Sequence, residues 1–169
     1  VRWERLKACL SPHSDVTREE FRGIPHRNFQ EVITMQFFIA MNPPTATAQE
    51  RQVRIVRGKP LFYDPPSVAE AKKKLTAYLN PHRPGTPLEG AVSLTVIWLF
   101  PKGASHENGE WRVTKPDTDN LQKLLKDCMT RCGFWKDDAQ VAREVIEKRW
   151  SDEPCGIYIE IETMKGGSR

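Results

Sequence analysis

Long hydrophobic runs are absent from this sequence. Its longest apolar stretches cover residues 35–41 and 91–100, well short of the roughly 18–20 residues that a membrane helix needs. No membrane partner is therefore expected. The first thirty residues are broken by charges and hold no continuous apolar segment, so no secretory signal is expected among them, and a cytoplasmic location is. Cysteine is scarce as well. Cys9, Cys128, Cys132 and Cys155 are too few and too scattered for a disulfide framework. The i,i+4 spacing of Cys128 and Cys132 suggests half a zinc site, but no second pair with ligand spacing follows, and both lie on an apolar helical stripe. Reduced, buried thiols fit better.

What is present reads as one small globular domain: 169 residues, 38% hydrophobic and 28% charged. The net charge of +4 does not by itself establish a nucleic-acid partner, but its distribution is informative. Basic residues gather at Arg51, Arg54, Arg57 and Lys59, at Lys72, Lys73 and Lys74, and at His82 and Arg83. Such runs are usually solvated faces. Here they accompany a segment rich in aspartate, and a basic surface around an acidic pocket suits a metalloenzyme that cuts a polyanion.

Along the chain, residues 1–34 lack sustained period 2 or 3.6 and read as an N-terminal extension, poorly ordered or artefactual, with at most one short helix near 15–22. The compact domain is expected from Met35 to Met164, followed by a flexible tail at 165–169. A strand is predicted at 35–41, then a loop barred from regular structure by Pro43 and Pro44. Two β-rich pieces, VRIV and PLFY, flank Arg57-Gly58-Lys59 and suggest a hairpin. Asp64 or Ser67 is the expected cap of a helix running to about Asn80, with the lysine triplet on its charged face. A strong strand follows at 91–100, then a polar loop at 101–114 of the kind that is functional or mobile. A second helix is predicted from about Asp119 to just before Gly133. Leu121, Leu124, Leu125, Cys128 and Cys132 form one apolar stripe on it. An alternating strand through Val141, Val145 and Glu147 and a last strand, GIYIEIE, complete the pattern. The fold class is α/β, a small mixed sheet with two main helices packed on it.

The chemistry concentrates in Lys115-Pro116-Asp117-Thr118-Asp119-Asn120-Leu121-Gln122-Lys123. Two aspartates two residues apart in extended backbone point to the same face. Entering a helix N-terminus, they can converge on one hard cation such as Mg²⁺, which takes oxygen ligands and keeps several waters. The competing reading is plain helix capping by Asp117 or Asp119. Lys123 lies one turn from Asp119, placed for an i,i+4 pair or for a phosphate. A third carboxylate is available at Asp137–Asp138, but a strand that starts straight after the helix starts about 20 Å from the helix N-terminus. Either the connection at 133–136 travels back along the helix, or the set is completed in another way.

Taken together, this motif, Asp127 on the same helix, Gly133, and Asp137-Asp138-Ala139-Gln140-Val141 closely resemble the RusA family of Holliday junction resolvases, over roughly residues 35–164. The resemblance implies a RusA-like α/β fold, a homodimer, dependence on Mg²⁺ or Mn²⁺, and paired nicks across a four-way DNA junction. It implies that Asp117, Asp119 and Asp138 are the essential, metal-holding carboxylates, that Asp138 joins the other two, and that Lys123 is the catalytic lysine. Asp127, Asp137 and Gln140 are supporting positions. Lys115, Arg51, Arg54, Lys72, Lys73 and Lys74 are the expected DNA contacts, and the likeness to phage-borne members implies a prophage setting. Two other readings are weighed: a DNA-binding accessory protein whose aspartates merely cap a helix, and a DxD glycosyltransferase using Mn²⁺. The second is disfavoured by the short core and the lack of a glycine-rich phosphate loop.

Overall fold

The computed structural model describes residues 32–46, 52–56 and 59–164. The short helix expected near 15–22, the tail at 165–169 and Arg51 lie outside the described residues. Strand β1 spans Thr34–Ala40, β2 Gln52–Val56 and β3 Lys59–Tyr63; helix α1 covers Pro66–Leu79. Then come β4 (Ala91–Pro101), helix α2 (Thr118–Cys132), β5 (Val141–Ser151) and β6 (Gly156–Met164). Four strands form a mixed sheet in the order β1-β6-β4-β5, while β2 and β3 form a separate antiparallel hairpin. The fold is thus the expected α/β arrangement. No helix among the described residues is long and apolar enough to cross a membrane.

β4 is central because its sequence is apolar on both sides. Val92, Leu94, Val96, Trp98 and Phe100 join the core beneath the helices, while Ile97 and Leu99 pack with Tyr158 and Phe38 on the opposite face. β4 pairs parallel with β5 and antiparallel with β6. A parallel pair needs a crossover, and α2 supplies it. Its buried side carries Leu121, Leu124, Leu125, Cys128 and Cys132, the stripe read from the sequence, joined by Met129. Each buried leucine stabilises the fold by roughly 1.5–3 kcal/mol. The helices run in the same direction, with Cys128 Sγ on the Lys72 carbonyl and Cys132 Sγ on the Thr76 carbonyl. Burial raises the pKa of both thiols, which fits a packing role.

Several local expectations change. β1 begins at Thr34, and Ile33 exchanges hydrogen bonds with Thr163, so the sheet reaches upstream of Met35. The N-cap position of α1 falls on Pro65, not on Asp64 or Ser67, and Pro66 at the first helical position supplies a preset φ. Asp64 instead accepts a 2.6 Å hydrogen bond from Lys72, which is only 5% exposed. Lys72 is therefore turned into the molecule, and its place among the DNA contacts is withdrawn. Lys73 and Lys74 remain exposed, Lys74 in a solvent-facing pair with Glu70. On β5 the alternation breaks: a register shift opposite Val92 and Ser93 leaves Val141, Ile146 and Trp150 packed toward the helices. Val145 pairs with Thr95, on the opposite face of the sheet.

Candidate active site

Three successive features bring Asp117 and Asp119 to one place. β4 ends at Pro101, the polar loop returns along the outer edge of β5, and α2 starts where that loop stops. The loop is held: Trp111 bridges to Arg149, Arg112 N donates to the Lys148 carbonyl, and Trp150 N donates to the Glu110 carbonyl. Asp117 then occupies the N-cap position of α2 in extended backbone, and Asp119 lies in the first turn. Both are exposed. They sit at the carboxyl ends of the parallel β4–β5 pair, the edge where open α/β sheets bind ligands.

The capping alternative fails at Asp117, whose side chain makes no cap hydrogen bond. Among the described residues, neither the Asp117 nor the Asp119 carboxylate takes part in a hydrogen bond or close ion pair. Of the two options for Lys123, the i,i+4 pair with Asp119 is not formed among the described residues. Unpaired carboxylates at a helix N-terminus are hard oxygen donors in a favourable field, so this half of the site fits Mg²⁺ or Mn²⁺ in its chemistry. Lys123 is exposed on the outer stripe of α2, with Asp119 before it and the half-exposed Asp127 after it. Lys115 is exposed next to Pro116. Arg54 lies on β2, in the separate hairpin.

Asp138 is elsewhere. Gly133, with φ of 83°, ends α2, and a short connection leads to a one-turn 3-10 helix at Asp138–Gln140. Asp137 caps that turn, its carboxylate accepting from Ala139 N at 2.8 Å. Gln140 closes the box and donates to the carbonyls of Leu88 and Gly90, pinning the turn to the start of β4. From there β5 runs back beneath α2: Glu144 meets Lys126 at 3.1 Å, and Lys148 reaches the Pro116 carbonyl at 2.6 Å. Asp138 therefore lies at the C-terminal end of α2, about 20 Å from Asp117 for a helix of this length. Among the described residues no three His, Cys, Asp or Glu side chains are grouped so as to hold a metal ion. One chain brings together Asp117 and Asp119 but not Asp138.

The structure adds two residues that the sequence reading missed. Lys148 Nζ donates to the carbonyls of Thr114 and Pro116, at 2.8 and 2.6 Å. Arg112 Nη2 donates to the Lys115 carbonyl at 2.6 Å, and its guanidinium lies over the rings of Phe100 and Trp150. Burial pushes the Lys148 ammonium below the usual lysine range; the charge of Arg112 adds to this and that of Asp117 opposes it. Burial likewise lowers the pKa of Arg112. The signal was present in the sequence as a lysine between Ile146 and Trp150, at an inward-facing strand position.

Comparison with known proteins places this site in context. The family model described as Endodeoxyribonuclease RusA matches residues 42–162. A crossover junction endodeoxyribonuclease, rusA, of Lactococcus phage r1t is 30% identical over 128 residues, covering 75% of this chain and 95% of that protein. The uncharacterized protein YqaN of Bacillus subtilis (strain 168) is also 30% identical over 128 residues, covering 69% of this chain and 89% of that one.

Proposed function

Because the chain belongs to the RusA endodeoxyribonuclease family, we propose that it resolves four-way DNA junctions as a homodimer, with Mg²⁺ or Mn²⁺ held by Asp117, Asp119 and Asp138 of the partner subunit. The observation that supports this most is the pair of uncommitted carboxylates at the start of α2, on the ligand-binding edge of the sheet. The need for a second copy follows from the separation along α2. A two-fold axis perpendicular to α2 reverses the helix direction in the second copy, so it can set the Asp138 end of one α2 beside the Asp117 end of its mate. The exchange generates two equivalent sites, which suits paired cuts in a substrate that is itself two-fold symmetric.

Bound there, the ion would polarise a phosphate oxygen and acidify an attacking water. The chain's own groups do the remainder. Asp117 and Asp119 orient from the helix start. Lys123, free of a close ion pair, is available to neutralise charge that develops on the phosphate during reaction. Asp127, the next residue on its stripe, adds negative charge on the same face. Asp137 and Gln140 support Asp138 through the turn they close. Lys115, Lys73, Lys74, Arg51 and Arg54 are proposed phosphate contacts that position DNA and carry little base information.

The test is Asp117→Asn assayed on four-way, three-way and linear DNA with and without Mg²⁺. We expect cleavage to fall by at least about a hundredfold, the scale of losing a group that acts on the transition state, while a gel shift with the junction persists. Cutting at the wild-type rate would end the proposal. A wild-type protein that shifts the junction but leaves it intact with either metal would be a binder only.

A further inference from the structure

We propose that Lys148 and Arg112 are positioning residues for this site, clamping the three consecutive peptide carbonyls that lead into Asp117. The inference rests on the nuclease reading for its consequence, but on hydrogen bonds alone for its geometry.

The segment 114–116 belongs to no strand or helix, and Thr114 and Lys115 are exposed. Left to itself, such a segment samples many backbone states, and fixing each residue costs roughly 1–2 kcal/mol. Carboxylates meant to share one ion must be held within about 0.5 Å of the productive geometry. Here every carbonyl of the run accepts from a cationic side chain: Thr114 and Pro116 share Lys148 Nζ, and Lys115 between them takes Arg112 Nη2. Charge-assisted bonds of this kind are about twice as strong as neutral ones.

Each donor is itself fixed. Lys148 rises from β5, in register with the fully buried Trp98 of β4. Arg112 is held over Phe100 and Trp150, with its centre 3.9 and 4.4 Å from the two rings, and its backbone N–H donates to the Lys148 carbonyl. The sheet thus reaches through two side chains to the last peptide units before the carboxylate pair. An ammonium suits the task because it offers three donors and no acceptor, so one atom can serve two carbonyls that face it.

Charge and position make opposite predictions. Two cations beside a metal site repel the metal, so if charge dominated, removing Lys148 would tighten metal binding. If positioning dominates, removing it loosens the carboxylate pair and weakens binding. Loss of a group that orients metal ligands usually costs 10–100-fold in metal affinity.

The experiment uses the full chain as wild type, Lys148→Met and Lys148→Arg. Mn²⁺ binding is measured by calorimetry without DNA, and amide hydrogen exchange is followed by mass spectrometry. In Lys148→Met, Mn²⁺ affinity is expected to fall by about 10–100-fold. Exchange is expected to accelerate over 114–121, with β4 and β6 still protected. Lys148→Arg should recover most of both. Unchanged or tighter Mn²⁺ binding, or unchanged exchange over 114–121, overturns the proposal. Should Lys148→Met lose protection in β4 and β6, Arg112→Lys decides: it keeps the charge, removes the fork, and should weaken Mn²⁺ binding in a folded protein, whereas unchanged binding overturns the clamp. A wild-type protein that cuts no junction sinks the nuclease reading, while the exchange pattern still decides the clamp.

Discussion

Asp117 and Asp137 are the same residue at the same kind of position, the residue before a helical turn, and they do different things. Asp137 accepts a hydrogen bond from Ala139 N and shares a capping box with Gln140. Asp117 leaves the first amides of α2 without its side chain. Capping and ligation compete for one carboxylate, so the two substitutions should separate. Asp137→Ala is expected to lower stability by about 1 kcal/mol, whereas Asp117→Asn should change it by less than about 0.5 kcal/mol, both read from urea unfolding. No sequence rule told these aspartates apart, because both follow a stretch without helix and precede a turn. Lys72 was equally illegible: it follows two residues that could cap a helix, and only the packed fold shows Asp64 drawing it inward. Glu110 gives a pH prediction. The Glu107 amide and then His106 hold its carboxyl below the usual glutamate range. Its folded value being depressed, the contribution is complete above the ordinary glutamate value and is lost as pH falls through the lowered one. Protection of the Glu107 and Trp150 amides, taken relative to intrinsic exchange at each pH, should therefore fall in that acid window in wild type and change little there in Glu110→Gln.

At the level of elements, periodicity carried most of the information. The stripe on α2, its stop at Gly133 and the apolar run of β4 were readable because one residue type recurs at one spacing over more than two turns or several pleats. Gly133 is in the left-handed region, so Gly133→Ala should destabilise by about 1 kcal/mol in urea unfolding. The β5 alternation was misread from Val141 and Val145, since a single register shift swaps the two faces. With the shift included, Lys148 falls on the inner face, and the sequence then hints at a half-buried cation. Gly156 was not singled out at all. A Cβ there would run into the Ile39 carbonyl oxygen and the Phe38 ring, a contact between β1 and β6 that no local pattern encodes. Gly156→Ala should cost about 1–3 kcal/mol by overpacking. Chemical denaturation checks it, and the variant should retain Mn²⁺ binding wherever it stays folded.

Across the whole molecule, the α/β class and the placing of Asp117 and Asp119 at the start of α2 were legible because both are encoded within short stretches. Where Asp138 ends up was not, because it depends on how α2, the 3-10 turn and β5 are laid out in space. The length of α2 warned that one chain holds the two halves about 20 Å apart, and the fold keeps them at opposite ends of that helix. Family resemblance pointed the other way, toward a joined set. Both statements are reconciled if the second copy supplies the missing carboxylate. Mixing chains tests this directly. Asp117→Asn and Asp138→Asn homodimers are each expected to be inactive on a four-way junction in Mg²⁺. A heterodimer of the two would place both lesions in one shared site and leave the other site intact. Co-expressed, differently tagged and purified as the mixed species, it should nick one strand of the junction without the paired second cut. A verified heterodimer as inactive as either parent would contradict the account.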